Sequence, residues 1–404
     1  MLKAADALEA RGYDVRVVSA RHTRWATAAD VTVRATRSWR WTVVDYSRDT
    51  ARTRQLMSGL RLRAAQAVTR RIAPSRAWFG LAVRAYSRVH DELVRAIVSE
   101  PADFIYGGTT GALAAVAEAA GRLAVPYAID LEDFHSGEEG GADSSFAHRL
   151  AEQVERGVLA NAAFLTAGSP MIADAYAATY GVRPRTIHNT FSIRFGSNAG
   201  GPRPLRLYWV SQTLGLGRGL EEVIEAVGRA GIPAELHVRA SAVETSLTAM
   251  RSFQQAVAPA LMLVHHEPAS PDEMVRLADG YDLGLSCEVP AVLNRRLCLG
   301  NKIFTYLAAG LPVVLSGTPA QARFAATIGP AGLVYEPGNA DDLADQLRRW
   351  TGDPVMRSTA RRAAQEAATR RWHWEHPDDR GALLAAVEGV VPSSARDGRE
   401  TCAS

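Results

Sequence analysis

Lysine is almost missing from this chain. Of its 46 basic residues, all but Lys3 and Lys302 are arginine, so a lysine that stands against that bias is a candidate for a task that needs a compact point charge. Cysteine is scarce too. Cys287, Cys298 and Cys402 are odd in number and form no C-x-x-C pair, which argues against a disulfide framework or a cysteine-based zinc site and fits a reducing compartment. Long apolar runs of the length that spans a bilayer, about 18 residues, do not occur. The opening residues also lack the basic, apolar and small-residue regions of a signal peptide. These absences predict a cytoplasmic protein with no membrane-spanning helix. What remains is ordinary globular composition, 404 residues with 47% apolar and 22% charged, enough for two domains.

Charge is unevenly spread. The net charge is only +3, yet between Arg34 and Arg95 fourteen arginines face four acids, Asp45, Asp49, Asp91 and Glu92. Trp39, Trp41, Tyr46, Trp78, Phe79 and Tyr86 are interleaved with them. Such a block suits a solvated face, an anionic acceptor or peripheral contact with an anionic membrane surface at the inner face. No nucleic-acid-binding motif accompanies it, so nucleic acid is not expected as a partner.

Short apolar runs alternate with alanine-rich helical stretches, the pattern of doubly wound α/β domains with parallel sheets. In the first half, "DVRVVS", "DFIYGG", "PYAIDL", "AFLTAGS" and "PRTIHN" read as strands. "SPMIADAYAATYG" reads as a helix with a serine and proline start and a glycine stop. The second half restarts with "LRLYWVS" and continues through "AELHVRA", "LMLVHH", "YDLGLS", "LPVVLS" and "AGLVYE". The expected organisation is an N-terminal Rossmann-like domain over 1–196, a linker at 197–204, a C-terminal Rossmann-like domain over 205–371, terminal helices over 372–391 and a disordered tail over 392–404. The chain opens on a helix and not on a strand with a glycine-rich turn, so the first strand of the N-domain is expected to be missing.

Ligands of open α/β sheets bind beyond the carboxyl ends of the strands, so the residues just after strands carry the chemistry, and two such sheets facing one another would make an interdomain cleft. "VSQTLGLGRGLEEVIEAV" offers a glycine-bearing turn with Gly217 and Arg218 before a helix whose N-terminal amides would favour a phosphate. In "YDLGLSCEVPAVLNRRLCLGNKIFTYLAAGLPVVLS", Asn301 is the expected helix cap and Lys302 lies in the first turn, where a cation opposes the helix dipole. An anionic ligand at that helix end would explain it. In the first half, "YAIDLEDFHSGEEG" crowds Asp130, Glu132, Asp133, His135, Glu138 and Glu139 behind a strand, where a carboxylate or imidazole can orient or deprotonate a hydroxyl. His188 reads as a satisfied core histidine. Glu221, Glu222 and Glu225 read as a helix face stabilised by solvent and the helix dipole.

Taken together, "GLGRGLEEVIEA", "HHEPASPDEMVRLADGYDLGLS" and "NKIFTYLAAGLPVV", preceded by "TAGSPMIADAYAATYG" and "TIHNTFS", resemble the family 4 glycosyltransferases over about residues 103 to 375. The resemblance implies the GT-B fold, retention of anomeric configuration, a nucleotide-diphosphate sugar as donor substrate, a hydroxyl acceptor, no cofactor and no catalytic metal, and the arginine block is compatible with an acceptor that is lipid-linked or a polysaccharide. Transferred position by position, the family's diphosphate-binding lysine falls on Arg218, and its basic partner on Thr213. The paired glutamates fall on Leu297 and Thr305, and a histidine near the reacting carbon falls on Glu132.

The resemblance therefore implies donor contacts from Arg218, Gly217, Lys302, Asn301, Glu288, Thr305 and Thr213, with Arg295 or Arg296 able to replace the missing clamp residue. Glu288 would hold a sugar hydroxyl and Thr305 a ribose hydroxyl, while His265 or His266 would touch the nucleobase. Acceptor activation falls to Glu132 or Asp133, with His135 in reserve. Two other readings share these residues, a non-catalytic nucleotide-sugar-binding subunit and a nucleotide-sugar epimerase of the same fold. The high arginine and alanine usage fits a bacterial source engaged in cell-envelope or natural-product glycosylation.

Overall fold

Runs rich in Val, Ile, Leu and aromatic residues form twelve strands among the described residues. The computed structural model describes residues 1–22, 24–72, 78–138, 146–196 and 204–391. Glu139, the tail at 392–404 and all of the expected linker except Pro204 lie outside them. The chain divides into two units, one of Met1–His188 with Val292–Asn294 and Pro377–Ser404, the other of Asn189–Ala291 with Arg295–His376.

In the first unit, β1 (Arg16–Arg21) and β2 (Arg40–Asp45) pair in parallel as a two-stranded sheet. A separate four-stranded parallel sheet runs β3 (Ile105–Gly108), β4 (Tyr127–Leu131), β5 (Phe164–Ala167), β6 (Arg185–Thr186) in spatial order. The middle strand β4 is almost wholly buried, with Ala128, Ile129 and Leu131 at zero exposure, as expected when helices cover both faces of a parallel sheet. The helix Pro170–Tyr180 has the ends its sequence announces. Ser169 Oγ accepts the Ile172 N–H, proline opens the first turn and Gly181 closes it with φ 71°, a left-handed position that suits glycine.

The second unit contains β7 (Leu205–Thr213), β8 (Ala234–Ser241), β9 (Met262–His266), β10 (Leu283–Ser286), β11 (Val313–Ser316) and β12 (Gly332–Tyr335). They form one parallel sheet in the order β12-β11-β10-β7-β8-β9. Alternate residues of β7 enter opposite cores. Leu205, Leu207 and Trp209 join one cluster, and Tyr208 and Val210 the other, the period of two that a strand dictates. Counted from the unit's own first strand, the sheet order is the Rossmann order, and it reverses between β7 and β10. In open α/β sheets such a switch point is where ligands bind, beyond the carboxyl ends of the two strands. Both donor-side stretches singled out from the sequence begin there.

The eleven strands expected from the sequence are all present. β2 was not expected, nor were the helices Arg24–Ala35, Arg52–Thr69, Phe79–Tyr86 and His90–Ile97, because their arginines mask the apolar periodicity. No helix among the described residues is long and apolar enough to cross a membrane.

Candidate active site

At the end of β10 the chain enters a loop whose second residue, Glu288, is 6% exposed. Its backbone N–H donates to Ser316 Oγ at 2.8 Å, which ties the loop to the end of β11. Its carboxylate is held by two cations. Lys302 Nζ lies 2.7 Å from Oε1, and Arg295 Nη1 bonds to Oε2. Burial alone would push this carboxyl up, but Lys302 first and Arg295 next outweigh it and hold the pKa at about 2. Lys302 is 15% exposed and also sits 5.6 Å from the Trp209 ring centroid, a cation–π placement.

One expectation changes here. Asn301 is not the helix cap. Gly300 occupies that place, and Asn301 is the exposed first residue of the helix Asn301–Ala308, with Lys302 second. Lys302 does not face solvent alone, because the loop after β10 folds Glu288 back onto it. Thr305 is buried, and its Oγ1 donates to the Asn301 carbonyl of its own helix at 3.1 Å. Leu297, where the resemblance calls for a carboxylate, is a buried apolar residue.

Across the switch point, the turn after β7 is shaped by glycine. Gly217 has φ 77° and Gly219 has φ 81°, and a Cβ on Gly219 would collide with the Cys287 carbonyl. Only glycine allows that approach, which sets the turn directly against the loop that carries Glu288. Arg218 Nη1 donates to Ser211 Oγ at 2.6 Å. Thr213 ends β7 opposite Ser241, after a register irregularity. Glu221 and Glu222 also have partners in the fold. The Gly217 N–H donates to Glu221, and Glu222 Oε2 accepts the Tyr335 hydroxyl proton at 2.7 Å. Both acids stand in the first turn of the helix Leu220–Ala230, where negative charge suits the helix dipole.

The two histidines after "LMLV" have partners within the sheet. His265 Nε2 lies 2.8 Å from the Ala240 carbonyl, and His266 Nε2 lies 2.9 Å from His237 Nδ1. Burial and the neighbouring Arg239 lower His266 to about 4, so it is neutral at physiological pH.

In the first unit, Asp130 at the end of β4 receives a chain of hydroxyl protons. Tyr106 donates to Thr166 at 2.8 Å, and Thr166 to Asp130 Oδ1 at 2.7 Å. Burial raises the Asp130 carboxyl, and Glu132 adds to the rise. Glu132 is exposed. Asp133 Oδ1 accepts from Asn294 Nδ2 at 2.8 Å, and burial raises its carboxyl despite that bond.

His135 is 4% exposed. Its Nδ1 lies 2.8 Å from Glu138 Oε1 and 3.2 Å from Thr110 Oγ1. Its Nε2 is buried with no hydrogen-bond partner among the described residues. Burial works to lower this imidazole, yet Glu138, then the charges of Glu155 and Asp133, leave it raised above its ordinary value.

Sequence reasoning missed what fixes this loop. Glu155 is fully buried on the helix Phe146–Val158. Tyr176 and Tyr180 donate to its two oxygens, each at 2.5 Å. The Tyr176 hydroxyl also accepts the His135 N–H at 3.3 Å and lies 3.2 Å from the Asp133 carbonyl. His188 is satisfied, as expected. Its N–H donates to the buried Asp379 at 2.8 Å, and its Nδ1 lies 3.2 Å from the same oxygen. Among the described residues no three His, Cys, Asp or Glu side chains converge so as to hold a metal ion.

A parallel sheet of Rossmann order, with a glycine turn and fixed cations at its switch point, defines a doubly wound α/β protein. Comparison with known proteins then supplies the family. Residues 1–190 match the model of the glycosyl transferase 4-like domain, and residues 225–377 that of a glycosyl transferase-like domain. The chain belongs to the glycosyltransferases of the family 4 type, with the GT-B fold. No curated protein matches the sequence.

Several solved structures are similar in fold. Anabaena Alr3699/HepE, solved with UDP and glucose, superposes with a TM-score of 0.61 at 14% identity, over 92% of this chain and 98% of that one. Sucrose-phosphate synthase from Thermosynechococcus elongatus gives 0.64 at 13% identity, over 95% and 91%. A glycosyltransferase from Rickettsia africae gives 0.59 at 9% identity, over 94% and 99%.

Proposed function

We propose that this chain transfers a sugar, with retention, from a nucleotide-diphosphate sugar to a hydroxyl acceptor in cell-envelope polysaccharide, glycolipid or natural-product glycosylation, in the cytoplasm and without a catalytic metal. The observation that carries the reading is the Lys302–Glu288–Arg295 cluster beside the Gly217–Gly219 turn at the switch point of the second unit. Two cations share one carboxylate there, so the cluster keeps a net positive charge for a diphosphate while Glu288 offers an ionised acceptor for a sugar hydroxyl. HepE, similar in fold, was solved with UDP-glucose, which supports a nucleotide-sugar donor.

In the reaction, the bond from the sugar's anomeric carbon to the diphosphate breaks as the acceptor oxygen bonds to the same face. Charge builds on the departing diphosphate, where Lys302, Arg218 and the turn amides stabilise it. The acceptor proton passes to the diphosphate oxygen or to Glu132 or Asp133. For the turn amides to serve, Glu221 must release the Gly217 N–H when the donor arrives.

That occupied amide, with Thr305 buried, also favours a second reading, a subunit that binds the nucleotide sugar without transferring it. Thermal stabilisation by UDP, GDP and TDP and their sugars tests donor binding, since ligands of the native state raise its melting temperature. Product analysis with and without acceptor hydroxyls then separates transfer, epimerisation and binding alone. The anomeric configuration of the product, read by NMR, tests retention. Absence of stabilisation by every nucleotide and nucleotide sugar would overturn both readings.

A further inference from the structure

The helix Arg52–Thr69 is built inside out. Its buried residues are small, Ser58 and Ala65, and Gln66 Nε2 turns inward to donate to the Ala85 carbonyl at 3.1 Å. Four of its five large apolar side chains stand in solvent, and Leu62 is partly buried. Leu56 and Met57 are each 63% exposed, Leu60 65% and Val68 46%. At 3.6 residues per turn these four share one arc of about 120° with Ala64 and Ala67. A surface helix ordinarily buries such a stripe.

The charge around the stripe is of one sign. No Asp or Glu occurs between Arg52 and Ile72, while six arginines do. Arg61 is committed to Glu92 at 2.5 Å, and the Arg70 guanidinium lies 4.6 Å from the Phe146 ring centroid. Arg52 and Arg63, on one rim of the apolar arc, are exposed and pair with no acid among the described residues.

We infer that this face docks the protein on an anionic lipid bilayer. The apolar arc enters the boundary between headgroups and acyl chains, and the rim arginines meet lipid phosphates. Charge complementarity selects this occupant. A second copy of the chain would set the same arginine rim against itself, and like charges repel. The inference deepens the transfer reading by naming the surface that would bring the protein to a lipid-linked acceptor, but its physical basis does not depend on catalysis.

The test is cosedimentation of the full chain, without donor or acceptor, with vesicles of phosphatidylcholine alone or mixed with phosphatidylglycerol. Binding is expected to the mixed vesicles only and should weaken as salt screens the charges. The double variant Leu56→Ser/Leu60→Ser should lower partitioning about tenfold or more. Arg52→Ser/Arg63→Ser should lower it about fivefold per arginine. Both variants alter exposed positions and should melt like the parent.

The inference is overturned if the parent ignores both vesicle types, binds them equally, or binds no better than the two well-folded variants. Self-association in sedimentation velocity that Leu56→Ser/Leu60→Ser abolishes would assign the face to a second copy instead. Since no sugar nucleotide enters the experiment, its failure leaves the transfer reading standing, and failure of nucleotide binding leaves this one standing.

Discussion

In the second unit, Glu288 is buried between Lys302 and Arg295, and its carboxyl is held at about 2. In the first unit, Glu155 is buried still more completely, and among the described residues only the hydroxyls of Tyr176 and Tyr180 bond to it. Opposite charge stabilises one carboxylate and neutral dipoles the other. The difference bears on chemistry. A cluster cross-linked by ion pairs keeps a fixed charge, as a platform for a diphosphate requires. A hydroxyl-lined cluster leaves neighbouring groups tunable, and there burial raises Asp133 while acidic neighbours raise His135.

The largest effect is expected from Glu288→Ala, which leaves Lys302 covered and unpaired and should cost about 3 to 5 kcal/mol in chemical denaturation. A loss below about 1 kcal/mol would erase the contrast between the two units. Next is the acid limb. Glu288 titrates far lower when folded than its ordinary value of 4.5, so its stabilisation is complete above about 4.5 and fades as pH falls toward about 2. The shift corresponds to about 3 kcal/mol, and Lys302→Met should remove most of it from the pH profile.

In the first unit, Tyr176→Phe should cost about 1 to 3 kcal/mol by leaving a buried carboxylate oxygen short of a donor. If the protein transfers sugar, the same change should lower kcat more than it raises KM, because Tyr176 also pins the backbone at His135. The His135 contribution runs the other way in pH. With its folded value raised, it stabilises fully below about 6.5 and is lost as pH rises through the folded value. Glu138→Gln should flatten that slope, which NMR titration of the imidazole can follow. Smallest is Arg295→Ala. Arg295 is half in solvent, and its loss should cost under about 1 kcal/mol.

Much of the second unit was legible, because its strands are continuous apolar runs and its turns are punctuated by glycine and proline. Residues 24 to 97 were not. The helix Arg52–Thr69 buries serine and alanine and exposes leucine, so any reading that puts apolar residues inside assigns its faces backwards. Lys302 was legible as a compositional outlier, yet its partner fourteen residues earlier was not, since a loop's course is set by contacts such as Glu288 N–H to Ser316. Glu155 was hidden more deeply. In "FAHRLAEQVERGV" it reads as one more solvated acid, and only the packing of its helix against Tyr176 and Tyr180 reveals it. Its signal was two tyrosines four apart in "YAATY" facing one helix side, a pattern too common to single out.

Lys302 also gives the chain an unusual chemical address. Acylating reagents that target amines find only two lysine side chains here, and the second is shielded by Glu288 and the Trp209 ring. Its rate of modification, read by mass spectrometry on the unaltered protein, would thus register any anion that settles over the cluster or any event that pulls Glu288 away.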